Sequence, residues 1–285
     1  MNIEQVRTAN NVFCGCVVWY NPQKEHIYNI LTYIEEIETL YIVDNSSHSN
    51  EHLLNNIPSR FIDKVNYIRL GDNRGIARAL NIAFEHAIIE GFSWVLTMDQ
   101  DSKFPDGVAN KYFESINSLS LSDPNIAIFA PRINFRDKLI GYVESVITSG
   151  NVVSTEQFSR VGGFDNDLFI DQVDHDFCFK LRSLEAKIFK LENVVLEHQL
   201  GDSCSYNIFG REFRVMHHNS IRKYYIIRNR CVIKDRYPDS VPDFYRKNIS
   251  LFIGVLLFEK NKFLKIRHMI KGYFHYRRGV LGPMK

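Results

Sequence analysis

The first hundred residues alternate between two kinds of segment, and that alternation restricts the fold more than any single motif does. "NVFCGCVVWY" (11–20), "TLYIVDN" (39–45), "KVNYIRL" (64–70) and "FSWVLTM" (92–98) are apolar runs of strand length. Between them, "KEHIYNILTYIEEI" (24–37) and the stretch from Arg74 to Glu90 carry a helical pattern. Short apolar strands separated by helices read as βαβ units, which build a parallel sheet covered by helices. In such sheets ligands bind beyond the carboxyl ends of the strands. Three of these runs end there in residues able to do chemistry: Tyr20-Asn21-Pro22, Asp44-Asn45-Ser46 and Asp99-Gln100-Asp101. The fold expected is α/β, a Rossmann-like and mostly parallel sheet flanked by helices.

Beyond the turn at Pro105-Asp106-Gly107 the alternation loosens. "NIAIFAP" and "LIGYVESVITSGNVVS" read as strands, and "FSRVGGFDNDLFIDQVDHDFCFKLR" as a glycine turn followed by a helix. "AKIFKLENVVLEHQLGD" reads as two short strands ending at His198. From about residue 212 the pattern is helical and increasingly basic. Residues 241–285 hold ten Lys and Arg against Asp243 and Glu259, a net +8; the whole chain carries +2, so the first 240 residues carry −6. An acidic unit over 1–205 and a basic, helical C-terminal region over 206–285 are expected, with no nucleic-acid partner.

The cysteines at 14, 16, 178, 204 and 231 make no disulfide framework. Cys14 and Cys16 form a C-x-C inside an apolar strand, with no second close pair to complete a zinc site. They read as core thiols in a reducing compartment. "MNIEQVRTAN" has no apolar signal region, and the longest apolar run, "LFIGVLLF" (251–258), is far short of the ~18 residues of a membrane span. A cytoplasmic protein is expected.

"LTMDQDS" places two carboxylates one residue apart at a strand end, where alternate side chains lean the same way. Such a pair repels unless a cation sits beside it, and hard divalent cations take carboxylate and phosphate oxygens. A lone D-x-D is also an ordinary acidic loop; its place after a fourth parallel strand favours the metal. In "GDNRGIARALN" a glycine-bearing loop enters a helix, so Asn73, Gly75 and free backbone N–H groups, with Arg74 or Arg78, could meet a phosphate. The plain alternative is a helix start with a solvated arginine, and the loop is not the G-x-G-x-x-G of a dinucleotide fold. "FIDQVDHDFCFK" crowds Asp171, Asp174 and Asp176 at a helix start. The helix dipole accounts for one acid there better than three, and an ionised carboxylate can accept a proton. His198 is either structural or the nitrogen ligand of an otherwise oxygen-lined metal site.

Taken in order, "VVWYNP", "YIVDNSS", "NRGIARALN", "LTMDQDS", "SGNVVSTEQFSRVGGFDNDLFIDQVDHDFCFKL" and "EHQLGD" resemble the inverting family 2 glycosyltransferases of the GT-A fold. The nearest resemblance is to their bacterial rhamnosyltransferase-like branch. It runs from about Val17 to Asp202, with a weaker echo in "YYIIRNR". The resemblance implies that Tyr20, Asn21 and Asp44 hold the nucleotide, with Asp44 accepting from the pyrimidine N3–H. It implies Asp101 as the closer ligand of Mg²⁺ or Mn²⁺, Asp99 as nearer the ribose and close to the metal, and His198 as a further ligand. Asp174 is the implied base; Val173 before it departs from the commoner acidic residue of the family.

The reaction expected is transfer of a sugar, L-rhamnose from a dTDP donor or a hexose from a UDP donor, to a hydroxyl of a cell-surface polysaccharide or lipid-linked glycan. A nucleotidyltransferase is the first rival, but it should carry a G-G-x-G-T-R-L-like loop where this chain has "WYNPQKE". A non-catalytic nucleotide-sugar-binding protein of the same fold is the second. In the tail, Ile249, Phe252, Ile253, Leu256 and Leu257 share one helical face, roughly extended by Phe263, Ile266, Ile270 and Phe274. Lys260, Lys262, Lys265, Arg267 and Lys271 surround that face. It either packs on the acidic body or rests on the inner leaflet of a membrane.

Overall fold

The computed structural model describes residues 11–284 apart from 135–136, 199–202 and 209–210. Strands β1 (Phe13–Trp19), β2 (Thr39–Asp44), β3 (Val65–Arg69) and β4 (Trp94–Asp99) pair in the order β3-β2-β1-β4, all parallel. Helices α1 (Glu25–Ile30), α2 (Ser59–Ile62) and α3 (Ile76–Ile89) lie between them in sequence. Each inner strand is buried on both faces. Cys14, Cys16 and Val18 of β1 pack with Ala79, Leu80, Ala83 and Phe84 of α3. Phe13, Val17 and Trp19 point the other way, toward Tyr112, Phe113 and Ile116. The C-x-C spacing thus puts both thiols in one core layer, and burial pushes both thiol pKa values well up. Cys178 and Cys231 are also free and buried.

The second half of the sheet is mixed. β5 (Ser102–Lys103), β6 (Ile126–Ile133), β7 (Gly141–Tyr142), β8 (Asn151–Ser154) and β9 (Lys187–His198) continue it. Beyond β4 the order is β8-β6-β9-β5, with β7 also on β9. Only β6 and β9 are parallel there; β8, β5 and β7 run antiparallel to their neighbours. The parallel character read from the sequence belongs to the first four strands. The two short strands expected before His198 are the halves of β9, separated by a register shift against β6 between Ala130 and Arg132.

Three elements differ from the sequence expectation. α1 stops at Ile30 because Thr32 is drawn into tertiary contacts, its hydroxyl donating to Asn29 O and accepting from Phe104 N. Helix α4 (Val108–Ser122) fills what read as a loosened stretch, burying Ala109, Tyr112, Phe113 and Ile116 along an otherwise polar helix. Past α5 (Thr155–Arg160) and α6 (Val173–Ser183), a hairpin of β10 (Ser203–Ile208) and β11 (Arg211–Met216) occupies the start of the region expected to be helical. Only then come α7 (Ser220–Arg236), α8 (Phe244–Phe258) and α9 (Lys262–Arg277).

The C-terminal helices are tied to the first half of the chain by two buried side chains of α7. Arg228 is fully buried, with no carboxylate partner among the described residues. Its Nη2 donates to Asp167 O and Leu168 O, both at 3.0 Å, and its Nη1 to Gly282 O. Its Nε donates to Asn229 Oδ1 at 2.8 Å. Asn229 Nδ2 donates to the carbonyls of Leu168, Ile170 and Asp171 at 2.7–2.9 Å. The clamped segment holds three non-glycine residues at left-handed φ, Phe169 (66°), Asp171 (64°) and Gln172 (66°), immediately before α6. Such residues cost of order 1–3 kcal/mol each and persist only where the surroundings over-determine them. Asn229→Ala leaves the Ile170 and Asp171 carbonyls short of this partner, at about 1–3 kcal/mol for each buried group left unpaired. We expect urea unfolding to show a loss of about 2–4 kcal/mol, with hydrogen exchange rising first at residues 167–172. Uniformly unchanged exchange there would mean the segment is held by something else.

Candidate active site

At the carboxyl ends of β1 and β4 a cleft of about 520 Å³ opens between the sheet, the segment before α6 and the start of α7. A larger cavity of about 630 Å³ lies around Phe92, Trp94 and Thr155, at the amino end of β4, which is the wrong end of a parallel sheet for a ligand. The cleft gathers Asp99, Asp101, His198, Asp174, Arg222 and His218 with Tyr20, Asn73 and Gly75.

Asp99 and Asp101 sit where β4 ends and the chain turns into β5. His198 arrives from the end of β9, because β5 pairs antiparallel with β9 and sets Ser102 opposite His198. His198 Nδ1 lies 3.6 Å from Asp101 Oδ1 and 3.9 Å from Asp99 Oδ2. A cation with ligand distances near 2.0–2.2 Å fits between atoms that far apart. These three side chains form a group with metal-ligand geometry among the described residues. Burial pushes the Asp99 carboxyl up to about 6, opposed by His198 and Arg222 and reinforced by the carboxylates of Asp101 and Asp174. Two carboxylates with an imidazole are a donor set that suits Mg²⁺ or Mn²⁺.

Behind the acids a buried hydroxyl relay fixes their geometry. The Asp99 N–H donates to Ser149 Oγ at 3.1 Å, Ser149 Oγ donates to Ser102 Oγ at 2.8 Å, and Ser102 Oγ lies 2.7 Å from His198 Nδ1. Gln100, between the two acids, bridges Tyr20 with its amide, accepting from Tyr20 N at 2.8 Å and donating to Tyr20 O at 3.3 Å. The sequence pointed to neither serine nor to this glutamine. The small polar residues of "TSGN" and "DQDS" were the signal, and only the pairing of β5 with β9 gives it meaning.

The three acids of "FIDQVDHDFCFK" separate by surroundings. Asp176 is fully buried and held by Arg236 at 2.9 Å, Lys180 at 3.2 Å and the Tyr237 hydroxyl at 3.2 Å, which makes it structural. Asp171 pairs with Arg222 at 3.2 Å, and burial raises its pKa although Arg222 opposes the shift. Asp174 lines the cleft without a Lys or Arg partner among the described residues. The His175 N–H donates to its Oδ1 at 2.9 Å, which leaves Oδ2 for another donor.

The expected nucleotide side divides in the same way. Tyr20, Asn73, Gly75 and Asp99 line the cleft, whereas Asn21, Asp44 and Arg78 do not. Asp44 is fully buried. Its carboxylate accepts from the backbone N–H groups of Ser46 and Asn50, from Asn50 Nδ2 and from the Tyr67 hydroxyl. Burial alone would raise its pKa, but those donors outweigh it and hold it below the usual range. Arg78 points to Glu85 at 3.1 Å. The loop before α3 also differs from a phosphate cradle. Its N–H groups at Arg74, Gly75 and Ile76 are already taken by Asn45 Oδ1, Asn73 Oδ1 and Phe169 O. Gly75 is required for packing as much as for its φ of 86°, since a Cβ would come within 2.6 Å of Phe169 O.

Residues no motif announced close the cleft from the C-terminal region. Arg222 comes from the first turn of α7, where Asn219 Oδ1 accepts from its N–H as the helix cap. Met216 and His218 precede it. Burial, with Arg222 and Lys223 nearby, pushes His218 down to about 4, so it lines the cleft as a neutral imidazole.

Comparison with known proteins agrees with this arrangement. The family described as glycosyl transferase family 2 matches residues 24–191, more than half of the chain. A dTDP-rhamnosyl transferase, RfbF of Shigella flexneri, is 28% identical over 244 residues, covering 77% of this chain and 79% of its own. The crystal structure of GalNAc-T7 with UDP, GalNAc and Mn²⁺ superposes with a TM-score of 0.52 at 12% identity, over 70% of this chain and 44% of that one. This chain spans less than half of that structure's length, and the likeness shows the shared GT-A fold. With the D-x-D, the histidine of β9 and the acid of α6 meeting in one cleft of that fold, the chain belongs to glycosyl transferase family 2.

Proposed function

We propose that the protein is an inverting glycosyltransferase that moves L-rhamnose from a dTDP donor to a hydroxyl of a cell-surface polysaccharide or lipid-linked glycan on the cytoplasmic side of a membrane. The observation that carries the transferase reading is the meeting of Asp99, Asp101, His198 and Asp174 in one cleft. The choice of donor rests on the similarity to the Shigella flexneri dTDP-rhamnosyl transferase. A UDP-sugar is the alternative donor, favoured by the UDP and GalNAc bound in the GalNAc-T7 structure. Donor hydrolysis across a panel of dTDP- and UDP-sugars with Mg²⁺ or Mn²⁺ decides between them, and no hydrolysis of any donor would favour a non-catalytic binder.

Asp101 and His198, with Asp99, would hold the divalent cation. When bound, it acts as a Lewis acid that offsets charge growing on the departing nucleoside diphosphate. Tyr20, Asn73 and Gly75 line the wall assigned to the nucleotide, while Asn21 and Asp44 shape the strand ends behind it. Asp174 accepts the proton of the acceptor hydroxyl through Oδ2 as that oxygen attacks the anomeric carbon from the face opposite the leaving group. Its orientation is set by the His175 N–H. Attack from the opposite face inverts the anomeric centre.

Asp101→Asn should abolish transfer and weaken metal-dependent donor binding while leaving the fold intact, because an amide oxygen is a poorer ligand for a hard ion. His198→Ala should act in the same direction more mildly. Calorimetry of nucleoside diphosphate binding with and without Mn²⁺ reads the effect; equal metal enhancement in wild type and Asp101→Asn would sink the assignment.

Asp174→Asn should keep donor affinity and lower turnover by roughly 10²-fold or more, the scale of general-base catalysis. Asn serves about as well as Asp at a helix start, so a merely structural Asp174 predicts near-normal turnover. Single-turnover assays with saturating donor separate the outcomes. Near-normal turnover would pass the role to Asp171, since Asp176 is sealed in its ion pairs.

A further inference from the structure

α8 and α9 carry an apolar surface that none of the described residues covers. On α8, Tyr245, Ile249, Phe252, Ile253, Leu256 and Leu257 recur at helical spacing and are all exposed, while Gly254 and Val255 form its buried side. The elbow into α9 adds Phe263, 83% exposed, and Leu264. Packing on the acidic body, one of the two sequence-based expectations, is therefore not where this face goes.

The charges around it are of one sign. Of the two acids in residues 241–285, Asp243 is bound by Arg246 at 2.7 Å. Glu259 is sunk between Lys223 and Lys265 at 2.5 Å to each. Lys265, expected on the rim, is thereby buried. Exposed Lys247, Lys260, Lys262, Arg267, Arg277 and Arg278 remain, with no acid of this segment left to balance them. On α9 and its C-cap, Phe263, Arg267, Ile270, Phe274 and Arg278 follow at intervals of three and four, so apolar side chains and arginines share one stripe.

We infer that the α8–α9 elbow is a docking surface for an anionic lipid bilayer, with Leu256, Leu257, Phe263 and Leu264 entering the headgroup boundary and Lys260, Lys262 and Arg267 meeting lipid phosphates. An apolar face rimmed by Lys and Arg is the composition that rests in a membrane interface. Among the described residues no helix is long and apolar enough to cross the bilayer, so the contact lies in the plane of the surface. A second copy fits worse, because a two-fold pairing sets the same cations against themselves. This surface stands apart from the cleft and would hold an enzyme near a lipid-linked acceptor whatever sugar it transfers.

Cosedimentation with vesicles of phosphatidylcholine, alone or with one third phosphatidylglycerol, tests the inference. Wild type should pellet with the anionic vesicles at low salt and release as salt rises, since screening shortens the reach of the charges. Lys260→Gln/Lys262→Gln/Arg267→Gln should weaken partitioning by roughly fivefold per charge removed, the equivalent of ~1 kcal/mol each. Leu257→Ser/Phe263→Ser should abolish it. Both variants alter exposed positions and should keep wild-type circular dichroism and donor hydrolysis in solution, so a failure of the membrane contact is distinct from a failure of the transferase reading. The inference is overturned if wild type ignores anionic vesicles at low salt. It is equally overturned if both variants pellet like wild type, or if the protein is a dimer that Phe263→Ser dissociates and that never binds vesicles.

Discussion

The fully buried guanidinium of Arg228 is the point on which the arrangement of the cleft depends. Its five N–H donors are satisfied by Asn229 Oδ1, the Tyr224 hydroxyl and the carbonyls of Gly282, Asp167 and Leu168. No carboxylate neutralises it; the charge is spread over carbonyl dipoles and the faces of Tyr224 and Tyr225. A buried cation without partners costs several kcal/mol, so this side chain settles only when residues 167–171, Gly282 and α7 are all in place. The chain between β8 and β9 and the chain after β11 are therefore ordered together. Phe169 passes the constraint on, stacking on Tyr225 and donating no freedom to α3, whose first N–H it binds. Asp174 follows five residues after Phe169. The C-terminal region is thus part of the structure that positions Asp174, the acid proposed as base, and a division at residue 205 cuts across this clamp.

Strands β1, β2 and β4 were legible in the sequence because their burial on both faces leaves continuous apolar runs, and their polar ends mark the carboxyl edge of the sheet. The D-x-D was legible for the same reason. What stayed hidden depends on long-range pairing. Ser102 and Ser149 are ordinary small residues until β5 meets β9 and the loop before β8 folds over β4. Helix α4 was lost because only four of its positions are apolar enough to be buried, and its remaining polar face looks like a loop. Arg222 and His218 carry no motif; their place in the cleft follows from the clamp around Arg228.

The acids of "FIDQVDHDFCFK" show the limit more sharply. Three aspartates within six residues have the same intrinsic chemistry, and spacing alone assigns them equally to capping, pairing or proton transfer. Their partners come from α6 itself, from α7 and from the turn after α7. Arg236 and Tyr237 claim Asp176, and Arg222 claims Asp171. Asp174 is left in the cleft by subtraction. The same logic reverses the reading of Arg78 and of the loop before α3. A loop whose N–H groups look free in sequence is, once folded, stitched to Asn45, Asn73 and Phe169.

The electrostatics of the cleft complete the reading. Asp99, Asp101 and Asp174 converge there, and Arg222 beside them is already paired with Asp171. His218 is kept neutral by burial beside Arg222 and Lys223, so it adds no positive charge. Burial, reinforced by the carboxylates of Asp101 and Asp174, makes Asp99 hold its proton to a higher pH than an ordinary aspartate. A nucleoside diphosphate alone would add further negative charge to the same space. Held between Asp101 and His198 as proposed, a divalent cation would relieve the repulsion within the acid pair and create the attraction that a diphosphate needs, so metal and donor binding would be coupled by charge. Beside the acids the cleft is walled by Ile147, Thr148, Ile170 and Met216, largely apolar side chains brought together from both halves of the chain.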